Sequence, residues 1–177
     1  MILTGMEIHQ AVLDNDILIS PYNKDNLNPN SYNLTLSNQV VKLSDSLLDL
    51  ACEPKTESCE IGPEGLILYP NELYLMQTVE RTATSRFVPC IEGRSSVACM
   101  CISIHATAGF GDIGFDGTWT LEVTVVKPTR VYAGVKLCQI YFIQTNYKNA
   151  KLYEGKYLKQ DKPRISQIFL ERDSWLR

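Results

Sequence analysis

The chain opens with a helical pattern and then changes period. Thr4-Gly5-Met6-Glu7 has the form of a capping box, a threonine N-cap with a glutamate three residues on. Ile8, Val12 and Leu13 follow as a short apolar stripe at helical spacing, ending near Asp14. After Asp16 the apolar residues alternate or run in short blocks bounded by Gly, Pro, Asn and Ser, which predicts strands. These are "ILIS" closed by Pro21, "SYNLTLS", "QVVKL", "FVPCIEG", "CISIHATA", "TWTLEVTVV", and two more around Ala133-Gly134 in "RVYAGVKLCQIYFIQT". "GLILYP" and "LYLMQTVE" read as a hairpin turning at Pro70-Asn71-Glu72, and "RSSVACMCI" as the start of a brief helix. Many short strands spaced by roughly 8–12 residues, with Gly and Pro in the turns, predict a β-barrel or sandwich. The tail from about residue 150 is polar and basic-leaning and predicts an arm rather than core.

Composition narrows the class. The 177 residues fit a single domain spanning 1–177, long enough to bury about two-thirds of the unfolded surface. With 45% hydrophobic and 21% charged residues, disorder is not implied. A net charge of −3 argues against nucleic acid or an anionic membrane as partner, though a local basic pocket for one small anion remains open. No apolar run approaches the ~20 residues of a membrane span, and the N-terminus has no basic, signal-like region, so a cytoplasmic protein is expected. Its six cysteines are then expected as thiols. Cys90, Cys99, Cys101 and Cys138 sit in apolar, strand-like runs, where cysteine acts as a small hydrophobe.

Several residues are candidates for chemistry. Arg94-Ser95-Ser96 follows a glycine at a strand end, where a guanidinium, two hydroxyls and the N–H groups of a helix start suit phosphate oxygens. A capped helix with a surface arginine is the plain alternative. Asp112 lies in "GFGDIGFDG", four glycines in nine residues, as a sugar-binding carboxylate or an ordinary turn aspartate. Asp116, before Gly117, reads as a turn residue. Glu122 sits mid-strand and shares a face with Thr120 and Thr124, opposite Trp119, Leu121 and Val123; it is either a solvent-facing residue or a partly buried base. A zinc site is not expected: there are two histidines, no CxxC pair, and no zinc-deaminase signature. His105 reads as a hydrogen-bonded structural histidine.

Taken in order, "MILTGMEI", "LNPNSYNLTLS", "EGRSSVA", "HATAGFGDIGFDGTWTLE", "LCQIYF" and "GKYLKQ" resemble the dCTP deaminase branch of the dUTPase-like superfamily over nearly the whole chain. The resemblance implies a dUTPase-like distorted β-barrel or jelly-roll with a short N-terminal helix and a C-terminal arm, 150–177, that closes the site. It implies a homotrimer with active sites at subunit interfaces, and a dCTP or dUTP substrate carrying Mg²⁺ on its triphosphate. Deamination without zinc would give dUTP and ammonia. Gly109 and Gln139 resemble the members that continue to dUMP and pyrophosphate. By position, Arg94, Ser95 and Ser96 would hold phosphates, with Ser95 also ordering the water. Ala108 and Glu122 would handle the cytosine amino end, with Thr120 and Leu121 beside them, and Asp112 would meet the deoxyribose. Gln139, Tyr153, Lys156 and Gln160 would close over the nucleotide.

The chain departs from that pattern in places. Cys99 stands where the family has arginine, and a thiol cannot replace a five-donor fork. Arg81, Arg86 and Arg130 are the candidates to reach in instead. A dUTP diphosphatase without deamination and a non-catalytic dNTP-binding regulator are the alternatives that Cys99 motivates. Asn33 and Thr35 replace an expected Asp and Arg, which reads as a lost ion pair made neutral. Gly111 and Ile113 replace Ile and Pro, which reads as a loosened turn around Asp112.

Overall fold

The computed structural model describes residues 1–175. In chain order its helices and strands are α1 (Gly5–Leu13), β1 (Leu18–Ser20), β2 (Tyr32–Leu43), β3 (Thr56–Glu60), β4 (Leu66–Leu68), β5 (Tyr74–Thr78), β6 (Arg81–Ala83), β7 (Phe87–Gly93), α2 (Ser95–Ala98), β8 (Ile102–Ser103), β9 (Asp116–Gly117), β10 (Thr120–Val125), β11 (Thr129–Val131), β12 (Lys136–Gln144) and α3 (Arg172–Trp175). The architecture is the expected one: mainly β, a distorted barrel with a short N-terminal helix and a C-terminal arm. The last two residues of that arm lie outside the described residues. No helix among the described residues is long and apolar enough to cross a membrane.

The expected capping box starts α1. Thr4 Oγ1 accepts from Glu7 N at 3.3 Å and a Glu7 carboxylate oxygen accepts from Thr4 N at 2.7 Å, while Ile8 and Ala11 point into the core. The main sheet runs β7-β12-β2-β5-β10-β8, with β3 also paired to β2. Smaller sheets, β1-β6-β9 and β11-β4, complete the wall. Tyr32, Leu34, Leu36, Tyr74, Met76 and Phe142 are fully buried at its centre.

Local reading and structure part at several points. "SYNLTLS" and "QVVKL" form one strand, β2, whose register slips between Leu36 and Val40. That irregularity lets one half pair with β12 and the other with β3 and β5. The hairpin expected across Pro70-Asn71-Glu72 does not form, because β4 pairs with β11 while β5 lies between β2 and β10. All five residues of β5 are buried, so its backbone groups need ladder partners on both edges. β3, β6 and β9 are short and largely polar, and so carry no apolar signature. "CISIHATA" pairs only over Ile102–Ser103.

Two cysteine expectations hold and two fail. Cys90 and Cys138 are buried, and burial pushes both thiols up from their ordinary pKa. Cys99 and Cys101 are exposed. Cys99 caps the C-terminus of α2, and Cys101 turns the chain at φ 57°, in the left-handed region, so neither belongs to an inward-facing strand.

Asn33 and Thr35 do not compensate one another. Asn33 exchanges two amide hydrogen bonds of 3.1 Å with Asn28. Thr35 donates its main-chain N–H, at 2.8 Å, and its hydroxyl to the carboxylate of Glu80, which is only 2% exposed.

Candidate active site

Strand β10 sets the centre. Leu121, Val123 and Val125 turn into the core, which puts Thr120, Glu122 and Thr124 on the other face, as the alternation required. Glu122 is half-buried, and desolvation raises its pKa above the ordinary carboxylate value. A hydrogen bond from the Ala106 main-chain N–H and the charge of a protonated His105 act in the opposite direction, less strongly. His105 is not the satisfied structural histidine expected. Its Nδ1 is buried without a hydrogen-bond partner among the described residues, and its Nε2 lies 3.7 Å from Glu92.

A cleft of about 510 Å³ opens beside Glu122, within the range of small-molecule sites. Ala108, Phe110 and Asp112 of the glycine-rich loop line one side, with Phe115, Trp119 and Thr120. Leu48, Asp49 and Leu50 of the segment between β2 and β3 line another, and the arm contributes Tyr153, Tyr157, Gln160 and Arg164. Phe115 packs against Trp119 at 4.6 Å between ring centroids and against Tyr153 at 6.0 Å, joining the loop to the arm.

The glycine-rich loop is tightly packed, not loosened. A Cβ on Gly111 would run into the Trp119 ring and lie 2.9 Å from Pro89 O. One on Gly109 would lie 2.6 Å from both His105 Nε2 and Ile91 O. Asp116 is more than a turn residue. It holds Arg81 through two hydrogen bonds of 2.7 and 2.6 Å, and its carbonyl accepts from Lys159 N at 2.6 Å. The arm is latched next to it: Gln160 Nε2 donates to Thr118 O at 2.7 Å, and Gln160 O accepts from Thr118 N at 3.0 Å.

Six of the candidate residues therefore meet in one cleft: Ala108, Asp112, Thr120, Glu122, Tyr153 and Gln160. Leu121 is adjacent, but its side chain is 1% exposed and belongs to the core, leaving only its main chain for a ligand. Arg94, Ser95, Ser96 and Gln139 are not among the cleft-lining residues. Arg94 donates from Nη1 to Lys136 O at 2.7 Å, and Gln139 Nε2 donates to Gly93 O at 3.1 Å, so these residues form a second polar cluster around α2 and β12. Lys156 pairs with Glu171 on the arm.

None of the arginines expected to replace Cys99's missing guanidinium lines the cleft. Arg81 is held by Asp116, Arg86 by Asp16, and Arg130 donates to Glu64 O at 2.8 Å. The cation that does line it, Arg164, carried no sequence signal, because a lone arginine in a polar tail resembles any solvated charge. Trp119 and Phe115 read locally as plain strand and loop residues, although aromatics within a glycine-rich segment are a usable hint of a ligand wall. Among the described residues no three His, Cys, Asp or Glu side chains gather as a metal-binding group.

Comparison with known proteins agrees with the motif order. A family model described as dCTP deaminase-like matches residues 2–145. A protein of Clostridium acetobutylicum named dCTP deaminase, dUMP-forming, is 44% identical over 173 residues, 98% of either chain. One of Cytophaga hutchinsonii with the same name is 48% identical over 160 residues, 89% of this chain and 90% of that one. The crystal structure of 2'-deoxycytidine 5'-triphosphate deaminase from Agrobacterium tumefaciens superposes with a TM-score of 0.63 at 18% identity, a likeness of fold. It covers 80% of this chain, which spans 47% of that longer one. With the family model running through the barrel and end-to-end relatives at this identity, the chain belongs to the dCTP deaminase-like family.

Proposed function

We propose that this protein hydrolyses Mg²⁺-bound dCTP to dUTP and ammonia in the cytoplasm, and then dUTP to dUMP and pyrophosphate. The observation that carries the reading is Glu122, a half-buried carboxylate of raised pKa in a nucleotide-sized cleft. Relatives with the name dCTP deaminase, dUMP-forming, at 44% and 48% identity point to the same chemistry.

In this reading the base enters toward Glu122 and the main chain at Ala108, Thr120 and Leu121, and the deoxyribose meets Asp112. Gln160 Oε1 is buried without a partner among the described residues, so it is free to accept from the nucleotide. Tyr153 covers the ligand from the arm. Water attacks C4 of cytosine while Glu122 takes its proton. That proton goes to ring N3; the hydroxyl proton of the tetrahedral intermediate then passes through Glu122 to the exocyclic nitrogen, the C4–N bond breaks, ammonia leaves, and C4 becomes a carbonyl. In the second step water attacks the α-phosphorus, and the bond to the β-phosphate breaks to release pyrophosphate.

Arg94, Ser95, Ser96 and Gln139 would complete the site from a neighbouring subunit of a homotrimer, with Ser95 ordering the water. Their position outside this chain's own cleft supports that arrangement, as does Phe110, which is 69% exposed. Lys156 would exchange Glu171 for a phosphate. Mg²⁺ would arrive on the triphosphate, which suits a cleft where no three acidic or other metal-ligating side chains gather among the described residues.

The test is product analysis with Mg²⁺ and dCTP, then dUTP, by chromatography with an ammonia assay. Ammonia with dUMP is expected. Hydrolysis of dUTP without ammonia from dCTP would overturn the deaminase reading.

A further inference from the structure

Among the described residues Arg164 is the one basic side chain lining the cleft. It is exposed, and its guanidinium takes no hydrogen bond or ion pair within the described residues. Its main chain, by contrast, is fixed: Arg164 N donates to Thr120 Oγ1 at 3.0 Å. Thr120 and Glu122 are two apart on β10, so they stand on one face about 6–7 Å apart. A long, forked side chain anchored beside Thr120 lies within reach of the Glu122 carboxylate. Arg81, Arg86, Arg94 and Arg130 are all engaged elsewhere.

We propose that Arg164 is a positioning residue for the general base, its guanidinium closing onto Glu122 when nucleotide fills the cleft and keeping that carboxylate ionised and aligned. This rests on Glu122 being the base of the deamination. The physical need is direct. A nucleotide expels the water that still reaches a half-buried carboxylate, and an unpaired carboxylate in that setting takes up a proton and stops acting as a base. The titratable and charged groups around it are few. His105, with Glu92 behind it, approaches from the loop after β8, and Asp112 from the glycine-rich loop. Asp49 and Cys52 come from the segment after β2, and Tyr153, Tyr157 and Arg164 from the arm. On the adjacent β5 the residue paired with Glu122 is the apolar Leu75. Of the two cation-forming groups, a guanidinium stays charged at every working pH, whereas an imidazole does not. Carriage on the docked arm also gives the contact a function: Glu122 would have its partner only while the arm stays seated across the cleft.

The experiment uses the full chain with Arg164→Ala, Arg164→Lys, and Lys162→Ala as a control on the same arm but outside this cleft. The readout is ammonia release from saturating dCTP across pH. Arg164→Ala should move the acid limb of kcat up by about one pH unit, and with it lower the rate on that limb roughly tenfold. Arg164→Lys should recover part of the shift, and Lys162→Ala should follow wild type. Wild-type protein that makes no ammonia overturns the assignment of Glu122 itself. Wild-type deamination with an unmoved acid limb in Arg164→Ala overturns the Arg164 proposal alone. A raised KM with that limb unmoved would make Arg164 a phosphate contact and equally overturn it.

Discussion

Replacing Glu122 with glutamine separates the chemical demand on this residue from the structural one. The amide has the carboxylate's shape and can still accept from the Ala106 N–H, so the cleft should keep its geometry. What disappears is the ability to take a proton from water. A positioned general base contributes about 10²–10⁴ in rate, or about 3–5 kcal/mol of barrier. Ammonia release from dCTP should therefore fall at least a hundredfold, on the order of the lower bound of that range. Stability should move the other way. The folded-state pKa is raised above the ordinary value of 4.5, so between the two values the folded protein binds more protons than the unfolded chain. Stability then falls as pH rises through that window, and above it the ionised carboxylate bears its desolvation cost in full. Glutamine bears none. Glu122→Gln should melt at or above the wild-type temperature at about pH 8, and the gap should close as pH falls below about 4.5. Ammonia assays and thermal melts at the two pH values test both halves. Near-wild-type ammonia release by Glu122→Gln would refute the assignment, and a variant clearly less stable at the higher pH would refute the account of its raised pKa.

Other outcomes follow from the packing. Gly111→Ala sets a methyl group against the Trp119 ring and 2.9 Å from Pro89 O, and should cost roughly 1–3 kcal/mol in denaturant unfolding followed by tryptophan fluorescence. Gln160→Leu removes the 2.7 Å bond to Thr118 O and should cost about 1–2 kcal/mol. The arm should then loosen, giving faster tryptic cleavage at Lys156, Lys159 or Lys162 and a raised KM for dCTP. Glu7, whose pKa is lowered by the Thr4 main-chain N–H and hydroxyl, stabilises the helix start above the unfolded carboxylate range and loses that effect as pH falls through its folded value. Glu7→Gln should therefore melt below wild type at neutral pH and match it in acid.

The chain's own order made some of this legible and hid the rest. The Thr4–Glu7 capping box and the alternation that turns Glu122 away from Leu121 and Val123 are local patterns, spanning a helical turn or a strand's pleat, and both appear as read. So does the succession of motifs that marks the family. The apolar face of each element and the residue types that carry chemistry can be read locally, because side-chain period follows directly from backbone geometry. Which elements meet is set by packing in three dimensions. It separated β4 from β5, placed Cys99 and Cys101 in solvent, and tied up Arg81, Arg86 and Arg130. It also gathered Ala108, Asp112 and Glu122 with Tyr153, Gln160 and Arg164 from the arm. Those contacts join residues far apart in the chain. Strand pairing and arm docking are selected by satisfying buried backbone groups and excluding water across the whole barrel, and no short window of sequence contains that competition.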